Sequence, residues 1–240
     1  MREAVTTEVP LSGLVDAGAV FVVIPAYDEE PVIGHVIADA RARFRNVVVV
    51  DDGSNDATPE RALEAGAIVL RHPVNLGQGA ALQTGIIYAL RQGAEVIGTL
   101  DADGQHSAAD LQRMAEALME SGADVALGSR FLGRAEGLPF ARRVVLKLAI
   151  AFTRWITGLR LTDVHNGLRV FTASAAQRIR INQNRMAHAS EILDEIAHQG
   201  LRHIEVPVSI RYTEYSLAKG QRISDGIRVI GEMLVGKIAR

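Results

Sequence analysis

The sequence predicts an α/β fold, a doubly wound and mostly parallel sheet with helices on both faces. Three observations predict it. Short, unbroken Val/Ile-rich runs recur through the first half, each is followed by a stretch with helical spacing, and polar, acidic segments follow the ends of the runs. Unbroken apolar runs, rather than alternation, mark strands covered on both faces, as in a parallel sheet. Residues 19–25 (AVFVVIP) form the first such strand and 30–42 its helix. Next come strand 46–51 (NVVVVD) with a helix from about 58 to 65, strand 67–71 (AIVLR) with a helix over 79–92, and strand 95–101 (EVIGTLD) with a helix over 108–120. Residues 124–129 (DVALGS) supply a fifth strand. Repeated βα units of this kind build a doubly wound sheet. Ligands of such sheets bind beyond the carboxyl ends of the strands, so chemistry is expected at 27–30, 51–56, 71–79 and 101–106.

The second half changes character. Residues 140–159 have helical spacing and are rich in Val, Leu, Ile, Phe and Trp, yet Arg142, Arg143, Lys147, Arg154 and Arg160 border them. Residues 168–172 and 203–210 (HIEVPVSI) read as strands, the latter alternating in the manner of an antiparallel edge. A helix over 187–199 lies between them, and an amphipathic helix over 225–239 comes last. There is no internal repeat and no low-complexity linker, so the 240 residues are expected to form one domain.

Composition narrows the function classes. With 48% hydrophobic and 22% charged residues, a chain of this length buries a core without staples. The absence of cysteine excludes disulfides and thiolate metal sites. The segment MREAVTTEVPLSGLVDAG does not read as a signal peptide, and no stretch approaches the ~18 uncharged apolar residues that span a bilayer, so a cytoplasmic location is expected. The net charge of -2 is unevenly spread: residues 1–135 carry -9 and residues 136–240 carry +7. An acidic half suits metal binding and a basic half an anionic partner. Nucleic acid is disfavoured by the overall negative charge and by only 5% aromatic residues.

The sharpest motif is Leu100-Asp101-Ala102-Asp103-Gly104-Gln105-His106. Its two carboxylates lie one residue apart at the mouth of a buried strand. Oxygen ligands of this kind suit Mg²⁺ or Mn²⁺, with a diphosphate completing the shell. An isolated Asp-x-Asp more often turns or caps a helix, here the one starting near Ala108. The neighbouring strand ends argue otherwise. Pro25-Ala26-Tyr27-Asp28-Glu29-Glu30 follows the first strand and Asp51-Asp52-Gly53-Ser54-Asn55-Asp56 the second. Tyr27 can stack on a base, and Asp51 or Asp52 can accept hydrogen bonds from a base or ribose. Arg71-His72-Pro73-Val74-Asn75-Leu76-Gly77-Gln78-Gly79 offers glycines where backbone can approach a ligand, without the Gly-Lys-Ser/Thr of a P-loop.

The segments PAYDEE, DDGSND, HPVNLGQGAAL, DADGQH and GSRF, in this order and at these strand ends, resemble the family 2 glycosyltransferases. Within them the chain is most similar to the polyprenyl-phosphate sugar synthases, the dolichol-phosphate mannose synthase group, from about residue 21 to 220. The resemblance implies a GT-A, Rossmann-like fold, with about 19–130 as the nucleotide-sugar half and 131–240 as the acceptor half. It also implies an inverting transfer from a nucleotide-diphosphate sugar to a polyprenyl phosphate. By the same resemblance Pro25, Tyr27, Glu29, Asp51, Asp52 and Gly79 line the nucleotide-sugar pocket, and Asp101, Asp103 and Gln105 hold Mg²⁺ or Mn²⁺. Arg130 meets the donor phosphates, Arg169 (in Asp163-Val164-His165-Asn166-Gly167-Leu168-Arg169) points to the reaction centre, and Arg211 and Lys219 meet the acceptor phosphate. Asp28 stands where the family usually has Asn, and the HNGLR and YSLAKGQ segments depart from the usual acceptor-side pattern. These segments resemble a soluble bacterial subgroup without membrane spans of its own, and the resemblance implies action together with a small separate membrane protein.

A lipid phosphate is already anionic and needs no strong base. A sugar hydroxyl needs one, and Glu191 is the available candidate, although a glutamate in a first helical turn is also ordinary dipole chemistry. The basic-bordered apolar helix over 140–159 suits an anionic membrane surface, or equally a core helix with snorkelling arginines. The last helix serves as a second surface helix or as the contact of a homo-oligomer. Transfer to a hydroxyl in polysaccharide assembly is the competing activity. A non-catalytic sugar-nucleotide binder has little use for the Asp101/Asp103 pair. A nucleotidyltransferase would need glycines after the first strand, where 25–30 has none.

Overall fold

The computed structural model describes residues 19–136, 140–164, 166–183 and 187–212. Its elements are β1 (Val20–Ala26), α1 (Glu30–Arg41), β2 (Asn46–Asp51), α2 (Thr58–Glu64), β3 (Ile68–Arg71), α3 (Gln78–Arg91), β4 (Val96–Thr99), α4 (Ala108–Ser121), β5 (Val125–Glu136), α5 (Phe140–Thr157), β6 (Arg169–Thr172), α6 (Ala173–Arg178), α7 (His188–His198) and β7 (His203–Arg211). The expected helix over 225–239 lies outside the described residues.

The strands form one seven-stranded sheet in the order β3-β2-β1-β4-β6-β5-β7. Pairings β1–β2, β1–β4, β2–β3 and β5–β7 are parallel, and β6 runs antiparallel to both β4 and β5. This is the mostly parallel, doubly wound sheet of the GT-A class that the Val/Ile runs predict. Alternate residues of one run serve opposite faces. Val47 and Val49 pack with Ile33, Ile37, Leu111 and Met114 under α1 and α4, whereas Val48 and Val50 pack with Leu82, Ile86, Ile192 and Ile196 under α3 and α7. A strand with two hydrophobic faces has no reason to alternate, and NVVVVD is the result.

One strand differs from expectation. β7 lies at the edge, but parallel to β5, with a register shift between Ser129 and Arg134 of its partner. Alternation reports that one face is covered, which is true of an edge strand in either direction. The direction is set by the crossover through α6 and α7, and the antiparallel member is β6.

β1 sits between β2 and β4, so chain order reverses between β1 and β4, and in such sheets the ligand crevice lies there, beyond the carboxyl ends of the strands. Among the described residues no helix is long and apolar enough to cross a membrane.

Candidate functional site

The crevice is floored by the turn after β4. Gly104 adopts φ +72 in this turn, and Asp103 Oδ1 accepts the Gln105 backbone N–H at 3.0 Å. Neither carboxylate caps α4. That cap is Ser107, whose hydroxyl accepts from Ala109 N, while Asp39 accepts from Ala108 N. Asp103 thus makes a local Asx turn, but neither aspartate is spent as a helix cap.

Asp101 is gripped from several sides. Gln78 Nε2 donates to its Oδ1 at 3.0 Å, and His106 Nε2 stands 3.7 Å from its Oδ2. Gly167 presses its bare Cα against the carboxylate; a Cβ there would overlap both oxygens. Arg169 is paired in register with Thr99 and Leu127, which sets its buried guanidinium beside Asp101, with Nη2 donating to the Ala189 carbonyl at 3.3 Å.

These surroundings shift the titrations. Burial raises Asp101 against the pull of Arg169 and the Gln78 hydrogen bond. Burial first, and then the charge of Asp101, push Asp103 up to about 6. Burial lowers His106 to about 4, so it is neutral near pH 7, and lowers Arg169 to about 10. Glu29 is buried and adds to the negative field on both aspartates, and its backbone N–H donates to Thr58 Oγ1 at 2.7 Å.

Among the described residues no three His, Asp or Glu side chains converge to hold a metal unaided. Two carboxylates nevertheless fit Mg²⁺ or Mn²⁺, which ordinarily take one or two carboxylates and fill the remaining positions with water and substrate phosphate. The raised Asp101 and Asp103 fit as well: the pocket opposes two adjacent negative charges, and a divalent cation removes that opposition.

Beyond the floor, Asp51 is fully buried, with Oδ1 accepting from Ser54 N at 3.3 Å and Arg71 Nε 3.1 Å from Oδ2. Tyr27 is exposed above it, its hydroxyl 3.3 Å from Asn55 Nδ2, while Pro25 is buried within β1 and supports that loop. Asp28 takes φ +51, a conformation Asp and Asn share, and its carboxylate accepts from Asn55 N at 2.8 Å. Arg130 is buried, with Nε 2.6 Å from Asp163 Oδ2 and Nη1 2.8 Å from the Tyr212 hydroxyl. Burial works against its charge, but Asp163 and Tyr212 outweigh burial and leave its pKa above the usual value. Arg211 reaches the same place through its backbone, donating to the Gln105 carbonyl at 3.0 Å. Lys219 lies outside the described residues.

Three expected site residues have partners within the chain. Asp52 is held by its neighbours. Its carboxylate already accepts from Leu76 N at 3.0 Å, Gly77 N at 2.6 Å and His72 Nδ1 at 2.7 Å, and His72 reaches on to Thr84 Oγ1. Gly79 makes its close approach to the chain itself: a Cβ there would overlap the Gln183 carbonyl. Glu191 is not a free base, because its carboxylate accepts from Asn182 N at 3.0 Å and Gln183 N at 2.8 Å, holding the loop before α7. The residues that sequence reasoning missed are Gln78, Asp163, His106 and Tyr212. The first three lie inside quoted motifs, but the partners of Gln78 and Asp163 are 23 and 33 residues away, and no local pattern announces them.

Fold and site together define a GT-A-class α/β protein whose carboxylate pair faces buried arginines across the crevice. The model of the family "Glycosyl transferase family 2" matches residues 21–180, and the chain belongs to that family. It is 37% identical to an uncharacterized protein of Methanocaldococcus jannaschii, over 91% of this chain and 92% of that one. It is 30% identical to the UDP-N-acetylglucosamine–dolichyl-phosphate N-acetylglucosaminyltransferase of Methanococcus voltae, over 92% and 97%. The fold matches that of glucosyl-3-phosphoglycerate synthase from Mycobacterium tuberculosis with a TM-score of 0.73 at 19% identity, covering 94% of this chain and 84% of that one.

Proposed function

We propose that the chain is an inverting, metal-dependent glycosyltransferase that moves a hexosyl or N-acetylhexosaminyl unit from a nucleotide-diphosphate sugar to a polyprenyl phosphate of the undecaprenyl type, at the cytoplasmic face of a membrane. The observation that carries this reading is the half-buried Asp101/Asp103 pair, unused as a helix cap and set against Arg169. The M. voltae relative, whose name specifies a UDP-sugar and a dolichyl-phosphate acceptor, supports the substrate classes.

Tyr27, Glu29 and Asp51 bind the nucleotide, and Asp101 and Asp103, with Gln105, hold Mg²⁺ or Mn²⁺. When bound, that ion supplies charge neutralisation on the departing diphosphate. The acceptor phosphate oxygen attacks the anomeric carbon opposite the diphosphate. The new C–O bond forms as the old one breaks, and the diphosphate leaves with the electron pair. No proton has to be removed, so the chain contributes position and charge. Arg130 and Arg169 face the anionic centre, and Arg211 and Lys219 grip the acceptor phosphate. The commitment of Glu191 to Asn182 and Gln183 agrees with an acceptor that needs no base.

Along α5, Val144, Leu148 and Trp155 are exposed, Trp155 by 78%, beside exposed Arg143, Lys147 and Arg154. This face suits the surface of an anionic bilayer or a small membrane-protein partner. Purified protein incubated with membranes containing polyprenyl phosphate, Mn²⁺ and labelled nucleotide sugars should place acid-labile label in organic solvent. Label that remains aqueous with every donor, in native membranes as well, would overturn the lipid-phosphate acceptor and favour a hydroxyl.

A further inference from the structure

The grip on Asp101 has an internal logic of its own. Gln78 is the first residue of α3, and it reaches Asp101 because the chain before it is fixed. Gly77, the N-cap, takes φ +101 and ψ 155, a conformation open to glycine, and its N–H is held by Asp52. Leu76 N is held by the other oxygen of Asp52, and His72 ties that carboxylate to Thr84 on α3 itself. Asp52 therefore sets the first turn of α3, and that turn aims the Gln78 amide at Asp101 Oδ1. On the far side of the carboxylate Gly167 leaves room for the oxygens, and its carbonyl is pinned by Thr99 Oγ1 at 2.7 Å.

We propose that Gln78 is a positioning residue of the metal site: its amide and the bare Cα of Gly167 together hold the Asp101 carboxylate in one orientation. The inference rests on the metal role of Asp101 and Asp103 proposed above. An amide suits the task because it donates one hydrogen bond to the carboxylate without neutralising it, so the charge stays available to a cation. Partners of this kind, one shell removed from the ion, change metal affinity by about 10- to 100-fold when lost.

The test is a Mn²⁺ titration of the full chain without nucleotide, followed by the electron paramagnetic resonance signal of free Mn²⁺, with thermal melting as a check on folding. Gln78→Leu should bind Mn²⁺ about 10- to 100-fold more weakly than the wild type while melting as a folded protein. In an Asp101→Ala background the same substitution should cost nothing further, because the oxygens it orients are gone; a general structural defect would subtract equally from both. Gly167→Ala should weaken Mn²⁺ in the same direction, and if it does not fold the Gln78 cycle stands without it. Wild-type affinity in Gln78→Leu, or an equal loss in both backgrounds, overturns the inference. If Asp103→Ala loses Mn²⁺ and Gln78→Leu does not, this inference alone fails. If wild type and Asp103→Ala bind Mn²⁺ equally, the metal reading fails and this inference with it.

Discussion

Two acidic loops at neighbouring strand ends, Asp51–Asp56 after β2 and Asp101–His106 after β4, look alike in the sequence and have opposite fates. The Asp52 carboxylate is saturated, with two backbone N–H groups and an imidazole on its oxygens. Asp103 has a single backbone N–H on one oxygen, and burial and a neighbouring carboxylate push it up to about 6. A saturated carboxylate builds the loop around it. A carboxylate left under electrostatic stress is available to a ligand that relieves the stress.

The largest expected effect breaks the second loop. Asp103→Ala should lower organic-extractable label by about 100-fold or more while melting like the wild type, since the loss falls on charge stabilisation rather than on packing. Loss of folding in place of activity would erase the contrast with Asp52. In the first loop the reverse is expected. Asp52→Ala leaves Leu76 N, Gly77 N and His72 without their acceptor and should cost about 2–4 kcal/mol, or roughly 5–15 °C of melting temperature at this chain length. An unchanged melting temperature would show that the Asp52 cluster does not hold the 72–77 loop.

Away from the loops, replacing exposed Trp155 with Ser should weaken sedimentation with phosphatidylglycerol vesicles by about tenfold, and equal binding would remove α5 from the membrane reading. Glu191→Gln keeps an oxygen acceptor for the Asn182 and Gln183 amides and should reduce transfer by less than about tenfold. A loss of several hundredfold would restore Glu191 as a base and a hydroxyl as the acceptor.

The smallest effect concerns pH. The folded pKa of Asp103 lies above its ordinary 3.8, so the native state holds this proton more tightly than the unfolded chain does. Stability contributed by the protonated form is complete below about pH 4 and is lost as pH rises through about 6. Asp103→Asn, which stays neutral, should therefore gain on the order of 1 kcal/mol over the wild type at pH 7.5 in chelator and nothing near pH 3.5. An equal difference at both pH values would deny the electrostatic stress that separates the two loops.

Much of this was legible before any coordinates. The Val runs of β1 and β2 report their two buried faces directly. The alternation of β7 predicts an antiparallel edge, yet the strand is a parallel edge, because alternation records coverage and carries no information on the sense of a crossover. For Asp52, Gly79 and Glu191, residue type, local position and family resemblance point to ligand chemistry but carry no information on partners within the chain. Their hydrogen-bond and packing partners are set by which loops meet.

By itself, then, the sequence determined the layer architecture, the strand ends that face the crevice and the carboxylate pair in it, since these follow from burial patterns and chemistry local to each segment. Tertiary structure alone decided which carboxylates are spent. Gln78 is 23 residues from Asp101 in the chain, and Arg130 is 33 from Asp163. Whether a buried charge is satisfied or stressed depends on groups that only the packed sheet brings within hydrogen-bonding distance.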